Sequence, residues 1–490
     1  MARKDMDHFR IDRRSDGCRA KTCIFLGLRE SNGLMEPNRK TGKTRIVILG
    51  GGFAGVAAAQ YLDRTAARQA DVEVTLVSRE NFTLFTPMLH EVAAGDLEPA
   101  DISNPLRKLL RRVTILTGDI KTIDLGTRRV TISYGIQGFS VELPFDQLLV
   151  ALGSETSYFG IPGLAERAHG IKSLGDAVML RAGVIAMLES ASVEPDPDRR
   201  KRMLTFVIAG GGFAGVETVG AVNDLARDCL PHYGRIHPRE VRVVLIHGGP
   251  VILPELGETL GLYAQENLRK RQVEIKLRTK VIAYKDGAVL CDDGEEVPAA
   301  TLVWAAGVSP SPILKDVPWE LQKGRVVVDQ SLEVPRFSGV WAVGDCAAII
   351  DPGSKTAYPP TAQHALREGR RAGKNIYARL SGKRTTPFVY KAPGQLAAIG
   401  RRTGVARVFG LKFSGVVGWV LWRSIYVMKL PRFEKKLRVM LQWALDVVFE
   451  RDIGQYVTLR DVKNLNRLLD AARHENESSG KGPIARSQSA

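Results

Sequence analysis

The chain has 490 residues, 44% of them hydrophobic and 25% charged, which is enough for about two or three domains with large apolar cores. Its 70 lysines and arginines against 53 aspartates and glutamates give a formal net charge of +17, which favours nucleic acid, an anionic membrane or an anionic ligand as a partner. The sequence has no zinc-finger spacing, no basic–aromatic RNA motif and no uncharged apolar run of about 18 residues, which argues against nucleic-acid binding and against a spanning helix.

Cysteine content is low, and the cysteines are Cys18, Cys23, Cys229, Cys291 and Cys346. They form no C-x-x-C pair and no disulfide framework, which is typical of a reducing compartment. The apolar stretch CIFLGL is too short for a secretory signal and has acidic residues on both sides.

Both ends of the chain and one internal segment have the composition of unfolded or linking sequence. Residues Met1–Lys43 are polar, charged and aperiodic, which predicts a disordered extension, and residues 463–490 are predicted to form a flexible tail. The segment Ser192–Arg202, SVEPDPDRRKR, combines prolines with charges just before an apolar strand, so it is predicted to be a linker.

The first element with a specific pattern is RIVILGGGFAGVAAAQYL, which starts at Arg45. β-Branched residues lead into glycines and then into a helix-compatible run, which predicts a strand, a tight turn and a helix. Gly50, Gly52 and Gly55 have the spacing G-x-G-x-x-G. The first glycine permits the turn, the second lets a pyrophosphate approach the backbone, and the third lets helix and strand pack closely, while the helix N-terminus attracts phosphate.

The same heptapeptide, GGGFAGV, returns in LTFVIAGGGFAGVETVGAV, where Gly210, Gly212 and Gly215 again separate an apolar strand from a helix. One such loop is a weak signal, because glycine turns occur without ligands and a duplicated copy can be inactive. Two correctly placed loops predict two dinucleotide sites with electron transfer between them, most simply from an exchangeable nicotinamide to a tightly held flavin.

Farther along the chain, GVWAVGDCA places a Gly-Asp pair at the end of an apolar strand. This pattern resembles the two-dinucleotide flavoproteins, in which such an aspartate contacts the ribityl-pyrophosphate region of FAD. The resemblance assigns FAD to the first loop, closed by Asp345 from far along the chain, and the nicotinamide to the second loop. The FAD domain is then split in sequence around the nicotinamide domain.

More specific stretches make the chain resemble a type II NADH dehydrogenase, the single-subunit NADH:quinone oxidoreductase of that superfamily. The matching stretches lie between about residues 44 and 459 and are GGGFAGVAAAQYL, VTLVSRENFTLFTPMLHEVAAGDLEP, LLVALGSETSYFGIPG, VIAGGGFAGVETVGAV, VWAAGVSPSP, WAVGDCA and YPPTAQHALREG. The resemblance implies an α/β fold with two Rossmann-like dinucleotide-binding domains, the FAD domain split around the NADH domain, and a C-terminal amphipathic helical membrane-binding region. The implied bounds are 44–157 and 327–385 for the FAD domain, 158–326 for the NADH domain and 386–462 for the membrane-binding region.

The resemblance also implies the residues of the site, and it implies no metal. The cofactor-binding residues are Gly50, Gly52, Gly55, Ser78, Arg79, Gly153, Asp345, Gly210, Gly212, Gly215, His247 and Gly307. Glu217 corresponds to the family's glutamate near the nicotinamide and quinone sites, and Gln363 to the glutamine beside the isoalloxazine where quinone approaches. Alternatively, Glu217 is a solvated carboxylate favoured by the helix dipole, and Gln363 is an ordinary polar helix residue.

Two strand ends depart from the family's pattern. The strand VEVTLVS ends in Ser78 where an acidic residue often binds the FAD ribose, although a serine hydroxyl still forms a hydrogen bond and Glu80 follows soon after. The strand VRVVLIH ends in His247, where an acid would bind the adenosine ribose and repel a 2′-phosphate. His247 therefore weakens the expectation of strict NADH use and is compatible with NADPH.

Cysteine positions bear on two relatives that share the scaffold. Disulfide reductases carry a C-x4-C pair on the helix after the first loop, where this chain has VAAAQYLDR. Sulfide:quinone oxidoreductases need placed cysteines, and Cys346, next to Asp345, is one candidate. A buried structural thiol is the alternative for Cys346.

The segment Phe413–Asp452 predicts how the chain meets a membrane. Pro431 divides it into two helices, and apolar residues recur at helical spacing in the second. The aromatics expected at the interface are Trp419, Trp422, Tyr426 and Trp443. Six basic residues and one acid lie between residues 423 and 438. Such helices lie in the membrane interface and are held partly by anionic lipids. The alternative is a pair of helices in the core or at a dimer interface.

Together these predictions describe a flavoenzyme that takes hydride from NADH and passes two electrons and protons to a membrane quinone without pumping protons. Glu217 and Gln363 would position the quinone and ease proton delivery. The protein is expected to be peripheral on the cytoplasmic face of the plasma membrane and, by family resemblance, a homodimer. Two other interpretations stay open. One is a soluble NAD(P)H-dependent flavin reductase or a sulfide:quinone-type oxidoreductase, and the other is a flavoprotein redox sensor or interaction protein with weak turnover.

Overall fold

Residues 42–135 and 138–458 are described by a computed structural model. The predicted C-terminal tail and the predicted N-terminal extension up to residue 41 lie outside the described residues. The helices are α1 (Phe53–Arg64), α2 (Leu89–Ala94), α3 (Pro99–Ile102), α4 (Leu106–Leu109), α5 (Leu164–Arg167), α6 (Leu174–Val193), α7 (Pro197–Met203), α8 (Phe213–Cys229), α9 (Glu258–Lys270), α10 (Ala362–Leu380), α11 (Gly415–Lys429) and α12 (Phe433–Val448).

The strands are β1 (Thr44–Leu49), β2 (Val72–Ser78), β3 (Phe82–Leu84), β4 (Ser103–Pro105), β5 (Thr114–Thr117), β6 (Asp119–Asp124), β7 (Arg129–Tyr134), β8 (Phe139–Pro144), β9 (Gln147–Val150), β10 (Ser154–Thr156), β11 (Thr205–Ala209), β12 (Arg242–His247), β13 (Val273–Leu277), β14 (Val281–Lys285), β15 (Ala288–Cys291), β16 (Glu296–Pro298), β17 (Thr301–Trp304), β18 (Val308–Pro310), β19 (Leu321–Gln322), β20 (Arg325–Val327), β21 (Val340–Ala342), β22 (Ala347–Ala348), β23 (Gly394–Ala398), β24 (Gly404–Val408) and β25 (Leu411–Ser414).

A five-stranded parallel sheet carries the first glycine loop, with the strand order β21-β9-β1-β2-β5. Residues Ile46–Leu49 of β1 are buried, as expected for the near-continuous apolar run of a parallel strand that is covered on both faces. The sheet draws strands from both sides of the second repeat, since β9 ends at Val150 and β21 begins at Val340. The split arrangement predicted from the Gly-Asp motif is therefore confirmed.

A second parallel sheet carries the second glycine loop, with the order β13-β12-β11-β17. Every residue of β11 is buried, and the loop after it leads into α8, just as the loop after β1 leads into α1. Both repeats therefore form the strand, turn and helix that their glycine spacing predicts. The predicted domain bounds stay predictions.

Helix α10, which carries Gln363, packs against α1. A Cβ atom on Gly369 would lie 1.9 Å from the carbonyl oxygen of Ala54, so this close approach requires glycine. The neighbouring Glu368 is buried and accepts a hydrogen bond of 2.8 Å from the amide of Gly344. The helix thereby connects the Gly-Asp turn to the first glycine loop.

The predicted linker Ser192–Arg202 is wrong over most of its length, because α7 occupies it. The carboxylate of Asp196 accepts hydrogen bonds of 2.9 Å from the amides of Asp198 and Arg199 and so caps the helix. Pro197 lies in the first turn, where a helix needs no amide donor. The proline and the acids thus mark a helix start.

The C-terminal residues form an antiparallel sheet, β23-β24-β25, followed by α11 and α12. Pro431 separates the two helices, as predicted. Helix α11 lies close against the sheet, since a Cβ atom on Gly418 would be 2.5 Å from the carbonyl oxygen of Gly404.

The prediction that all four aromatics face a membrane is wrong for two of them, because Trp422 and Trp443 are 0% and 7% exposed. Their indole N–H groups bind buried carboxyl groups, which draws both rings into the core.

The other side of α11 and α12 is apolar and exposed. Its side chains are Val416, Val417, Val420, Met428, Phe433, Leu437, Met440, Leu441, Leu445 and Val448. On α12, the buried Lys435 donates a hydrogen bond to the carbonyl of Ala100, and the exposed Arg438 forms an ion pair of 3.3 Å with Asp101. Among the described residues, no helix combines the length and the apolar character needed to cross a bilayer.

Candidate active site

The first glycine loop has the geometry that its spacing predicts. Gly50 has a φ of +110°, and a Cβ atom there would lie 2.2 Å from the carbonyl oxygen of Ala151. A Cβ atom on Gly55 would lie 1.9 Å from the carbonyl oxygen of Gly50, so the helix can only approach the strand with glycine there. At Gly52 an added Cβ would meet nothing within 4 Å, which leaves the backbone at the start of α1 accessible to a ligand.

The second loop repeats this geometry. Gly210 has a φ of +117°, and its Cβ would lie 2.6 Å from the carbonyl carbon of Ala305. A Cβ on Gly215 would lie 1.8 Å from the carbonyl oxygen of Gly210, while one on Gly212 would meet nothing within 4 Å. Neither α1 nor α8 has an acidic residue in its first turn, so nothing there opposes a phosphate.

The two strand-end residues that depart from the family's pattern occupy equivalent places beneath the loops. An added Cβ on Gly51 would lie 2.3 Å from the hydroxyl oxygen of Ser78, which is buried. In the second repeat, the amide of Gly211 donates a hydrogen bond of 3.1 Å to Nδ1 of His247. Burial lowers the pKa of His247, which agrees with a neutral ring that accepts at Nδ1.

One cavity of about 1590 Å³ brings most of the predicted site together. The predicted residues that line it are Gly50, Gly52, Ser78, Arg79, Gly153, Glu217, Gly307, Asp345 and Gln363. The predicted residues that do not line it are Gly55, Gly210, Gly212, Gly215 and His247. The first loop and both predicted catalytic residues therefore face a common space, which Phe213 and Ala214 of the second loop also line, while the glycines of the second loop and its strand-end histidine do not line it.

Arg79 lies at the exposed rim of the cavity between two carboxylates. Its guanidinium is 3.0 Å from Asp119 and 3.3 Å from Glu155. Gly153, nearby on the rim, has a φ of +67° and open space around its Cα. These ion pairs orient the Arg79 side chain, which is 68% exposed, beside the loop.

Asp345 belongs to a chain of polar contacts that the sequence analysis missed. The hydroxyl of Ser154 donates a hydrogen bond of 2.7 Å to Asp345, and Lys172 Nζ donates one of 2.5 Å to the Ser154 hydroxyl oxygen. Burial lowers the pKa of Lys172, while the negative charges of Asp345 and Glu155 oppose that effect. Lys172 also lines the cavity, so a cation and a carboxylate lie together beside the first loop.

Glu217 is a buried carboxyl group, which contradicts its alternative as a solvated first-turn carboxylate. It is 8% exposed, and its Oε1 accepts hydrogen bonds from the Ala398 amide at 3.2 Å and from the Trp422 indole at 3.1 Å. Burial raises its pKa to about 8, so the group is mainly protonated at neutral pH.

His90 is a second buried group at this end of the cavity, and the sequence offered no signal for it. Its Nδ1 lies 3.6 Å from Oε2 of Glu217, and its ring packs edge-on against Trp422 with centroids 5.3 Å apart. Burial lowers the pKa of His90 to about 3, so the ring is neutral and the contact with Glu217 is not an ion pair.

Gln363 is held from both ends of its amide. Nε2 donates a hydrogen bond of 3.0 Å to the carbonyl of Gly394, and Oε1 accepts one of 3.2 Å from the Tyr390 hydroxyl. The Arg367 guanidinium lies over the Tyr390 ring at 4.2 Å and steadies it. A glutamine amide has two N–H donors, so one remains after the bond to Gly394.

Two protein-family models match the chain. The model described as pyridine nucleotide-disulphide oxidoreductase matches residues 44–369, and the model described as NDH2 C-terminal domain matches residues 393–452. The first match spans both glycine loops and Asp345, and the second spans the sheet and helices that carry Trp422 and Trp443.

Curated relatives and solved structures agree with these matches. Type II NADH:quinone oxidoreductase NdhA of Mycobacterium tuberculosis is 36% identical over 428 residues, which are 84% of this chain and 88% of the relative. Type II NADH:quinone oxidoreductase Ndh of the same organism is 33% identical over 458 residues, 90% of this chain and 96% of the relative. The structure of NDH2 from Plasmodium falciparum in complex with NADH has a TM-score of 0.78 at 19% identity and covers 84% of this chain and 100% of that chain, a likeness of fold.

Proposed function

Because this chain belongs to the type II NADH:quinone oxidoreductases, we propose that it oxidises NADH through a bound FAD and reduces a membrane quinone by two electrons. The observation that carries the proposal is the shared cavity, in which the first glycine loop and Asp345 lie together with Glu217 and Gln363. A large concave space with a few fixed polar groups suits a cofactor with a second reactant against it. The proposed reaction moves no proton across the membrane.

The residues around the first loop fit FAD. The open space at Gly52 and the N-terminus of α1 offer backbone N–H groups to a pyrophosphate, as the physics of such loops requires. Asp345 and Ser154 lie on the same cavity and offer hydrogen-bonding oxygens to the ribityl region. Lys172 adds a positive charge beside them. When bound, FAD supplies the two-electron chemistry that connects the substrates.

The second loop is the proposed NADH site. Gly212 and the N-terminus of α8 have the same open geometry as the first loop, so they suit the NADH pyrophosphate. Gly307 lines the shared cavity and is proposed to lie along the path of the nicotinamide. His247 beneath the loop carries no negative charge, so strict exclusion of a 2′-phosphate is not proposed.

Glu217 and Gln363 are proposed to act on the quinone. The free N–H of the Gln363 amide donates a hydrogen bond to a quinone oxygen, while Gly394 and Tyr390 hold the amide in place. Glu217 is protonated at neutral pH and donates a proton from Oε2, the oxygen that binds neither Ala398 nor Trp422. Gln363 thus orients the quinone, and Glu217 delivers a proton to it.

The quinone is proposed to arrive from a membrane on which α11 and α12 lie. The support is the exposed apolar face of these helices, with Phe433, Met428 and Val448 each more than 70% exposed. Lys436 belongs to the basic stretch beside that face and suits anionic lipid headgroups, whereas Arg432 of the same stretch is paired with Glu434 at 2.5 Å. The protein is then peripheral on the cytoplasmic face of the plasma membrane, and a homodimer as the family resemblance implies.

A sulfide:quinone activity through Cys346 is not favoured. The Cys346 thiol is fully buried and donates a hydrogen bond of 3.2 Å to the carbonyl of Val343. Burial raises its pKa to about 12, whereas reactive cysteines are accessible and have lowered pKa values. Cys229 and Cys291 are also buried, while Cys18 and Cys23 lie outside the described residues.

The substitution Gln363→Ala tests the quinone side of the proposal. It removes the amide that is proposed to bind the quinone oxygen and leaves both glycine loops intact. We expect kcat/KM for a short-chain quinone to fall by about tenfold or more, while NADH bleaches the flavin band anaerobically at the wild-type rate. Steady-state assays and stopped-flow absorbance measure the two half-reactions separately.

The matched control is Gln322→Ala, which removes an exposed glutamine on β19 that does not line the cavity. This variant is expected to keep both half-reactions. Wild-type quinone kinetics in Gln363→Ala, or an equal loss of both half-reactions, would contradict the proposed role of Gln363.

A further inference from the structure

A second buried carboxyl group interacts with Glu217 and lies outside the lining of the cavity. Glu91 is on the short helix α2, directly after His90, and is 5% exposed. Its Oε2 accepts a hydrogen bond of 3.1 Å from the indole N–H of Trp443.

The two carboxyl groups are held in the same way by neighbouring helices of the C-terminal region. Trp422 of α11 donates its indole N–H to Glu217, and Trp443 of α12 donates its indole N–H to Glu91. The two indole rings lie side by side with centroids 6.5 Å apart. His90 completes the arrangement, since its ring packs on Trp422 and its Nδ1 faces Glu217.

The charged groups around Glu91 come from every side of α2. Arg423 of α11 lies 4.0 Å from Oε1, stacked between the rings of Trp419 and Trp443 at 4.1 and 4.3 Å. The other ionisable groups that face this region are Glu217 of α8, Arg181 of α6, Asp446 of α12, Asp96, His90 and Arg451. Of these, Asp96 is paired with Arg451 at 2.7 Å, and Arg181 donates to backbone carbonyls at Asp452 and Gly454.

The cation that faces Glu91 is Arg423, and its charge lowers the pKa of Glu91 against the larger effect of burial. Arg423 is too far from Oε1 for a good hydrogen bond, and the negative charges of Asp96 and Asp446 oppose ionisation. Burial is the largest cause and raises the pKa of Glu91 to about 8. Burial is likewise the largest cause of the raised pKa of Glu217, and the charge of Glu91 raises that pKa further, so the two carboxyl groups interact.

We propose that Glu91 is a positioning residue for quinone reduction, and that its carboxyl group, fixed beside Glu217 by the Trp443 indole, keeps Glu217 in the protonated form that donates to the quinone oxygen. This inference rests on the proposed function. The overall reaction NADH + H⁺ + Q → NAD⁺ + QH₂ consumes one proton beyond the hydride of NADH. Glu217 supplies that proton to the quinone oxygen and regains it from solvent before the next turnover.

The physical reason is repulsion between like charges in a buried site. Once one carboxylate of the pair is ionised, ionisation of the other costs more, so a proton stays on the pair to a higher pH than on one acid alone. The second carboxyl group therefore extends to higher pH the range over which Glu217 is protonated and can donate a proton. A single carboxyl at the same depth would lose its proton at a lower pH.

The substitution Glu91→Gln tests this role, because glutamine has the same shape and can still accept the Trp443 hydrogen bond. We measure kcat for quinone reduction at saturating NADH between about pH 6 and pH 10. The alkaline limb of the profile is expected to move to lower pH by roughly half a unit or more in the variant. The matched control, Glu189→Gln, removes a carboxylate that binds Tyr233 away from the cavity and is expected to leave the limb in place.

A second variant keeps the test decisive if Glu91→Gln folds poorly. Trp443→Phe removes the hydrogen bond that favours ionised Glu91, so Glu91 stays neutral to higher pH and the limb again moves to lower pH. A limb that stays in place while kcat falls would overturn the proposal and leave Glu91 a structural residue. Failure of the wild-type enzyme to reoxidise with quinone after reduction by NADH is a different result, because it refutes the proposed function itself.

Discussion

At the scale of single residues, the two glycine loops differ in the side chain beneath each of them. Ser78 places a hydroxyl under the first loop, and His247 places a neutral imidazole under the second, where its Nδ1 accepts from the Gly211 amide. Neither side chain carries the negative charge that would repel a 2′-phosphate on a dinucleotide. We therefore predict that His247, in the proposed nicotinamide half, influences the choice between NADH and NADPH.

The substitution His247→Glu is expected to sharpen the preference for NADH. A carboxylate at this strand end would hydrogen-bond the ribose 2′-OH of NADH and repel the 2′-phosphate of NADPH. We expect the ratio of kcat/KM for NADH to that for NADPH to rise by about tenfold or more. Steady-state kinetics with both nucleotides measure the ratio.

The control for this prediction is Ser78→Ala, at the equivalent place under the first loop, which should leave the nucleotide ratio unchanged. An unchanged ratio in His247→Glu would remove His247 from the explanation of nucleotide specificity.

At the scale of secondary-structure elements, the inner and outer faces of α11 and α12 have different roles. Their inner faces send Trp422 and Trp443 to the buried carboxyl groups, and their outer faces expose apolar side chains. The buried indoles, each with its N–H bonded to a carboxyl group, stabilise the packing of both helices on the protein. Their outer faces remain available for one, and the proposed docking surface therefore adjoins the proposed quinone site.

The double substitution Leu437→Glu with Leu441→Glu tests the outer face of α12. Both side chains are more than half exposed, so the change costs little folding stability but places two carboxylates where apolar contact is proposed. Binding to vesicles that contain anionic lipid is expected to weaken by about tenfold or more, measured by co-sedimentation.

The matched control is Phe139→Glu, which changes an exposed aromatic on β8, away from these helices, and should leave vesicle binding intact. Both variants should retain anaerobic reduction by NADH. Wild-type vesicle binding in the double variant would contradict the proposed membrane face.

At the scale of the whole molecule, the architecture was predictable because it follows from a local pattern used twice. Each glycine loop needs close backbone contacts that only glycine permits, as at Gly50 and Gly55, so the spacing alone specifies strand, turn and helix. The split of the first domain was predictable from the Gly-Asp motif once the resemblance assigned Asp345 to FAD. Helix α7 was predicted to be a linker, because proline and acidic residues are typical of a helix start as well as of a linker.

The candidate site was predictable only in part, for a physical reason. Glu217 and Gln363 belong to recognisable motifs, but Lys172, His90 and Glu91 gain their significance from neighbours distant in sequence. From the sequence, a tryptophan near cationic residues is predicted to lie at a membrane interface. Only the hydrogen bond to the Glu91 carboxyl group shows that Trp443 is buried. The burial of a side chain and the identity of its partners depend on the tertiary structure. The periodicity and spacing of residues in the sequence do not reveal them.

The most direct measurement is an anaerobic absorbance titration of the purified protein, following the flavin band while NADH and then a short-chain quinone are added. We predict bleaching by NADH and rapid recovery with quinone, since one cavity holds the first loop together with Glu217 and Gln363. Bleaching without recovery would contradict quinone reduction and favour a soluble reductase or a redox sensor. A protein that shows no flavin band, even after reconstitution with FAD, would contradict the assignment of the first glycine loop.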